Sequence, residues 1–115
     1  MATEFLDNWE TQARKGLLEL CVLNVIARER LYGYDIVRAL NAAGSLEAAE
    51  GTVYPLLARL RREAIIGATI EESDRGPARK YYHLTSRGTA ALRRMNALWN
   101  TIAESVDESR TRARR

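Results

Sequence analysis

The chain has 115 residues, a length that fits one domain around one core. Apolar residues make up 46% and charged residues 29%, which excludes an intrinsically disordered chain. The net charge of +3 is mildly basic, so an anionic partner is permitted without being required.

Phe5, Trp9 and Ala13 recur at i, i+4 and i+8, which predicts a short amphipathic helix at the start. Leu17 to Ile26 is apolar nearly all round and is bounded by Lys15-Gly16 and Arg28-Glu29-Arg30. Its leucines, with polar Glu19 and Asn24, favour a buried core helix over a buried strand. Cys21, the only cysteine, lies inside this run and reads as a small buried hydrophobe. With no partner for a disulfide in the chain, a reducing compartment is expected.

Tyr32-Gly33-Tyr34 interrupts the pattern, and Asp35 sets a negative charge in the first turn of the helix that follows. Ile36, Val37 and Leu40 form its apolar stripe, and Gly44 is a natural stop. The third helix carries Val53, Leu57 and Leu60 on one face with Leu56 beside them. Pro55 needs no backbone donor and fits best in a first turn, with Thr52 as the cap. The outward side then shows Thr52, Tyr54, Arg59, Arg61 and Arg62.

Ala68 to Ser73 has strand character, Asp74-Arg75-Gly76-Pro77-Ala78 is turn chemistry, and Arg79 to Leu84 is a second strand. Lys80, Tyr82 and Leu84 share one face of it and Arg79, Tyr81 and His83 the other. Thr85-Ser86 opens a last helix whose Leu92, Met95, Trp99, Ile102 and Val106 are spaced as an a/d heptad seam. The final residues, rich in arginine, are expected to fray.

Catalysis finds no support in this inventory. His83 is the only histidine, and one His with one Cys makes no four-ligand metal site. There is no glycine-rich phosphate loop, so no cofactor and no metal are expected. No basic-then-apolar leader is evident and no apolar run is long enough to span a bilayer, so a cytoplasmic protein without a membrane partner is expected.

Three helices followed by a hairpin is the order of a winged helix, a helix-turn-helix variant in which the third helix enters the major groove. The expected fold is mainly α with a small β-hairpin: a winged helix-turn-helix with N- and C-terminal dimerisation helices. Residues 1–84 would form the N-terminal helix and DNA-binding domain, 85–108 the C-terminal dimerisation helix and 109–115 a disordered basic tail. A winged-helix core has no long groove for the heptad seam, whereas a second copy supplies one. The seam residues, with Phe5 and Trp9, are therefore the expected homodimer interface. Sixteen of the eighteen basic residues are Arg, suited to bidentate phosphate and guanine contacts.

Four segments then make the resemblance specific: Arg14-Lys15-Gly16-Leu17-Leu18, Tyr32 to Ile36, Glu50 to Leu57 and Gly76 to Thr85. In order and spacing they resemble PadR-family regulators, over about residues 14 to 99, and the single helix after the hairpin is similar to the subgroup with a short C-terminus. The resemblance implies a DNA-binding transcriptional regulator, a repressor, whose homodimer reads a pseudo-palindromic operator in double-stranded DNA. It implies groove-facing Thr52, Tyr54, Pro55 and Arg59, phosphate contacts at Lys15 and Tyr34, and wing contacts at Arg79, Lys80 and Tyr82. Trp9, Met95 and Trp99 are expected to line an apolar cavity at the dimer interface, and the resemblance implies a small aromatic or drug-like effector there. Two positions depart from the family pattern: Ala64 stands where Gly usually follows the third helix, and Ala49 where a capping Ser or Asn is common. If residue 64 is left-handed, Ala costs about 1 kcal/mol there; otherwise Gly67 takes the turn. The competing reading is a winged helix that binds protein or RNA; apolar patches on the third helix would mark the protein-binding form.

Overall fold

The computed structural model describes residues 2–42, 44 and 46–111. The elements are α1 (Ala2–Arg28), β1 (Leu31–Tyr32), α2 (Gly33–Ala42), α3 (Glu50–Arg62), β2 (Ile66–Ser73), β3 (Gly76–Leu84) and α4 (Ser86–Thr111). Helices, hairpin and closing helix stand in the order that the sequence predicts.

The sequence pattern divides the first region at Lys15-Gly16, but α1 is one helix of 27 residues that runs through both. A side chain at Gly16 would meet nothing within 4 Å, so no packing requires glycine there. Its helix cost of about 1 kcal/mol is outweighed by the anchored half of α1. There Leu20, Val22, Leu23, Val25 and Ile26 enter the core beside Ile36, Val37, Leu40, Val53, Leu57, Leu60, Ile66 and Leu92. The other half, Ala2 to Gln12, is exposed throughout.

The sheet has three antiparallel strands in the order β1-β3-β2. β2 starts at Ile66, and Ser73 pairs with Gly76, so the hairpin turns over Asp74-Arg75 alone. β1 pairs Leu31 with Tyr82 and Tyr32 with Tyr81. Two residues carry no period, which is why the sequence does not announce this strand.

α3 starts at Glu50, with Ala49 as an extended N-cap that offers no side-chain hydrogen bond. Its first turn closes through the backbone alone, Thr52 N and Val53 N both donating to Ala49 O. Thr52 is therefore inside the helix, and Pro55 stands in the second turn, not the first. Proline has no N–H for the Gly51 carbonyl one turn back.

At the other end, Ala64 is left-handed at φ 60°. Ile65 N donates to Leu60 O and Ala64 N to Arg61 O, both at 3.0 Å, which is the Schellman closure of a helix. Gly67 lies in β2 and takes no turn. The Thr85 hydroxyl is 2.7 Å from Ala64 O and 3.0 Å from Ile65 O, and it accepts from Gly88 N at 2.9 Å. Thr85 thus caps α4 and ties it to the end of α3. Gly88 is required here, since a Cβ would sit 1.9 Å from Ile65 O.

The heptad seam of α4 divides. Leu92 is buried in the chain's own core and Met95 packs against that core, because the first turns of α4 lie across α1. Leu92 is therefore unavailable as an interface residue. Asn24 and Asn96 exchange two amide hydrogen bonds, at 3.1 and 2.9 Å, between the same two helices. Beyond them α4 leaves the core, and Trp99, Ile102 and Val106 are exposed. The helix continues to Thr111, past the expected limit at residue 108; the rest of the predicted tail, 112–115, lies outside the described residues.

The left-handed Ala64 predicts that Ala64→Gly raises the unfolding free energy by about 1 kcal/mol, read from the urea midpoint. An unchanged or lowered midpoint would show that this backbone position carries no strain.

Candidate nucleic-acid interface

Burial of Val53, Leu57 and Leu60 turns the opposite side of α3 outward. Gly51, Thr52, Tyr54, Pro55, Ala58, Arg61 and Arg62 are exposed. At 3.6 residues per turn, Gly51, Pro55, Ala58 and Arg62 run along its crest. Tyr54 and Arg61 flank the crest on one side, Thr52 and Arg59 on the other. The small crest residues let the backbone approach a partner closely, with hydroxyls and guanidinium groups at the edges.

Two devices hold this helix in place. Asn41, near the end of α2, accepts from Ala48 N at 2.9 Å and donates Nδ2 toward Val37 O and Ala48 O, at 2.8 and 2.7 Å. The connection between α2 and α3 is thereby stapled just ahead of the Ala49 cap. On the other flank the Tyr54 ring lies over Gly33, where an added Cβ would stand 2.5 Å from its Cε1. The Tyr32-Gly33-Tyr34 motif so gives the ring its seat. Partial burial, then the nearby Glu50 carboxylate, push the Tyr54 hydroxyl above its ordinary pKa, and it stays a neutral donor.

The wing presents two faces. On one, Tyr32 and Tyr81 pack edge-to-face at 5.8 Å between ring centres. The Arg30 guanidinium lies 4.2 Å from the Tyr81 ring and Arg79 lies 4.6 Å from Tyr32, while Arg30 also pairs with Glu71. These stacked cations stiffen the root of the hairpin. On the other face Tyr82 and Ile66 enter the core, and Ile70 and Lys80, cross-strand neighbours nearer the tip, are exposed.

The Transcriptional regulator PadR-like family model matches residues 22–94. The chain belongs to the PadR-like family of transcriptional regulators. Solved relatives extend the likeness over nearly the whole fold. A PadR-like transcriptional regulator of Bacillus cereus is 38% identical with a TM-score of 0.79, over 87% of this chain and 97% of that one. A PadR family regulator of Eggerthella lenta is 27% identical with a TM-score of 0.84, over 96% of each chain. PadR of Bacillus subtilis, solved in complex with operator DNA, is 25% identical with a TM-score of 0.63 over 69% of this chain and 45% of that one. Membership makes the protein a regulator and not an enzyme.

In this PadR-like chain Thr52, Tyr54 and Pro55 sit together on the outward side of α3, and Lys80 projects from the wing. Lys15 is exposed on α1, and Tyr34 is exposed on α2 with the Arg38 guanidinium 5.8 Å from its ring. Three expected contact residues are engaged within the chain. Tyr82 is only 8% exposed and belongs to the core: strand alternation assigns its face correctly, but that face meets the helices at its position. Arg59 is engaged by two carboxylates, Glu19 Oε1 at 2.9 Å and Glu63 Oε2 at 2.8 Å. Arg79 is stacked on the Tyr32 ring, on the sheet face that Tyr82 does not use.

The residues set down for an effector, Trp9, Met95 and Trp99, do not form one enclosed site within the chain. Trp9 is 61% exposed, Trp99 is 38% exposed, and Met95 lies against the core. An open apolar hollow of about 230 Å³ lies elsewhere, between α1 and α2, lined by Cys21, Val25, Ala39 and Leu40 among others. Its walls push the Cys21 thiol up from its ordinary pKa by burial. Sequence reasoning overlooks Asn41, Gly88 and Glu19. An Asn near the end of a helix is the one signal that points to the first; the other two depend on contacts far apart in the chain.

Proposed function

We propose that the protein is a sequence-specific repressor that binds pseudo-palindromic operator DNA as a homodimer in the cytoplasm and is released by a small aromatic effector. The observation that carries the DNA reading is the free outward side of α3, where Thr52, Tyr54 and Arg61 flank a crest of Gly51, Pro55, Ala58 and Arg62. A helix of this kind fits the major groove, which alone displays an unambiguous donor and acceptor code. Lys80 on the wing and Lys15 on α1 supply charge at either side for phosphates. The complex of Bacillus subtilis PadR with operator DNA supports the same reading. No helix among the described residues is long and apolar enough to cross a membrane.

The homodimer rests on uncovered apolar surface. Phe5, Leu6 and Trp9 are 71, 53 and 61% exposed, and Leu98, Trp99, Ile102 and Val106 are exposed on α4. Surface of this kind along two helix arms marks an interface. The chain is correspondingly extended, with a radius of gyration of 16.9 Å, against about 13 Å for a compact chain of this length. A second copy buries both arms and sets two α3 helices about one turn of duplex apart, the half-site spacing of a two-fold reader. Between paired arms Trp9, Met95 and Trp99 would face an apolar gap suited to a planar ligand.

Selection from a randomised duplex pool should enrich a two-fold symmetric motif, bound at least about a thousandfold above random DNA. Tyr54→Ala should weaken that binding by about tenfold or more. Lys80→Ala should lower the slope of log affinity against log salt by about 0.9, the signature of one lost phosphate contact. Variants that bind as the parent does would misplace the recognition surface, and a pool from which no duplex is enriched would favour the competing module. Trp99→Asp should shift the light-scattering mass from two chains toward one; an unaltered dimer would remove α4 from the interface. Planar aromatic cations or phenolic acids should quench the tryptophan fluorescence of the dimer, and a flat response across such a panel would eliminate the effector.

A further inference from the structure

Arg59 lies on the α3 flank that meets α1, in the last turns of the helix. Its guanidinium is shared in a fork: Nη2 is 2.9 Å from Glu19 Oε1 on α1 and Nη1 is 2.8 Å from Glu63 Oε2 just past the helix. All three side chains are partly shielded, at 39, 30 and 49% exposure. The hydrogen bonds to Glu63 and then Glu19 raise the Arg59 pKa further, so the cation is permanent. Two carboxylates around one guanidinium leave the cluster with net charge −1, a poor surface to set against a phosphate. Arg61 and Arg62, the next cations on α3, are exposed. Neither has a carboxylate partner among the described residues.

We propose that Glu19 is a positioning residue for DNA recognition: through Arg59 it braces the C-terminal part of α3 against α1, and Arg59 itself does not touch DNA. This inference rests on the DNA-binding reading above. The brace joins two functions in one rod. α1 is a single helix, with the exposed Phe5 and Trp9 at one end and Lys15 one turn before Glu19. A change in how the α1 arm is packed is thus transmitted to the angle of α3 through the fork. Buried contacts and the hydrogen bonds at its two ends fix which side of α3 faces outward, and the Arg59 fork narrows the small rolling motion that they leave. Without the fork, α3 samples more orientations, and binding must order it at the moment of docking, which lowers affinity.

The test uses the full-length chain and the duplex that the wild type selects, with Glu19→Gln, Arg59→Gln, the double variant, and the charge exchange Glu19→Arg with Arg59→Glu. Each single variant should bind more weakly by up to about fivefold, the ceiling reached if the whole worth of a partly exposed ion pair, at most about 1 kcal/mol, goes into ordering α3 before it docks. The double variant should be no weaker than either single one, and the exchange should recover most of the loss. The salt slope of Arg59→Gln should equal that of the wild type, a readout that a phosphate contact would lower by about 0.9. Tighter or unchanged binding by Glu19→Gln, additive losses, or a reduced slope for Arg59→Gln would each overturn the proposal. Should one single variant fail to fold, the other and the exchange carry the same comparison. A wild type that selects no duplex overturns the DNA reading together with this one, whereas a wild type that binds while Glu19→Gln binds equally well overturns this one alone.

Discussion

Everything on the proposed DNA side depends on the burial of Val53, Leu57 and Leu60 in the common core. Each of these side chains contributes about 2 kcal/mol by leaving water, more than any polar contact along the helix. Because they lie on one stripe, their burial dictates which side of α3 is left outside. The hydrogen bonds at the two ends of the helix then set where that side is placed. Asn41 holds the approach to Ala49, and Thr85 with Gly88 locks the exit at Ala64-Ile65 to the start of α4. α3 is therefore registered against both the helix before it and the helix after it.

The reach of that core also explains the shape of the chain. The core is small, and the far halves of α1 and α4 contribute little to it. Leu92 and Met95 are drawn inward, while Trp99, Ile102 and Val106 remain outside. The paired amides of Asn24 and Asn96 mark the boundary, since two half-buried amides satisfy each other only in one register of the helices. Inside that boundary α4 is part of the fold. Beyond it, α4 is an arm whose apolar face calls for a second molecule.

Much of this was legible in the residues. The stripe of α3 follows the helical period, and the hairpin follows from two strand-like runs around turn chemistry, although the turn expected over Asp74 to Ala78 is confined to Asp74-Arg75 and Gly76, Pro77 and Ala78 belong to β3. The family pattern marked residue 64 as a candidate left-handed position but left Gly67 as the alternative, and only the backbone at φ 60° decides for Ala64. Other features were not legible, for physical reasons. Pro55 pointed to a helix start three residues after the true N-cap, because Ala49 caps with backbone alone and leaves no side-chain signal. Gly16 read as a boundary, although the burial around Leu20 to Ile26 carries the helix through it. Alternation placed Tyr82 on the right face, but nothing local says where along a strand the helices stop covering that face. Of the two partners of Arg59, Glu63 is four positions on, whereas Glu19 was out of reach, since it precedes Arg59 by forty positions and only the tertiary fold brings them together.

The central claim is that the outward side of α3, with the wing beside it, meets the duplex. Backbone amide shifts of the isotope-labelled protein, followed during titration with the selected duplex, test it residue by residue. The account predicts the largest changes in residues 51–62 and around Lys80, with Leu20 to Ile26 little moved. Changes confined to the arms of α1 and α4, with 51–62 undisturbed at saturation, would contradict it.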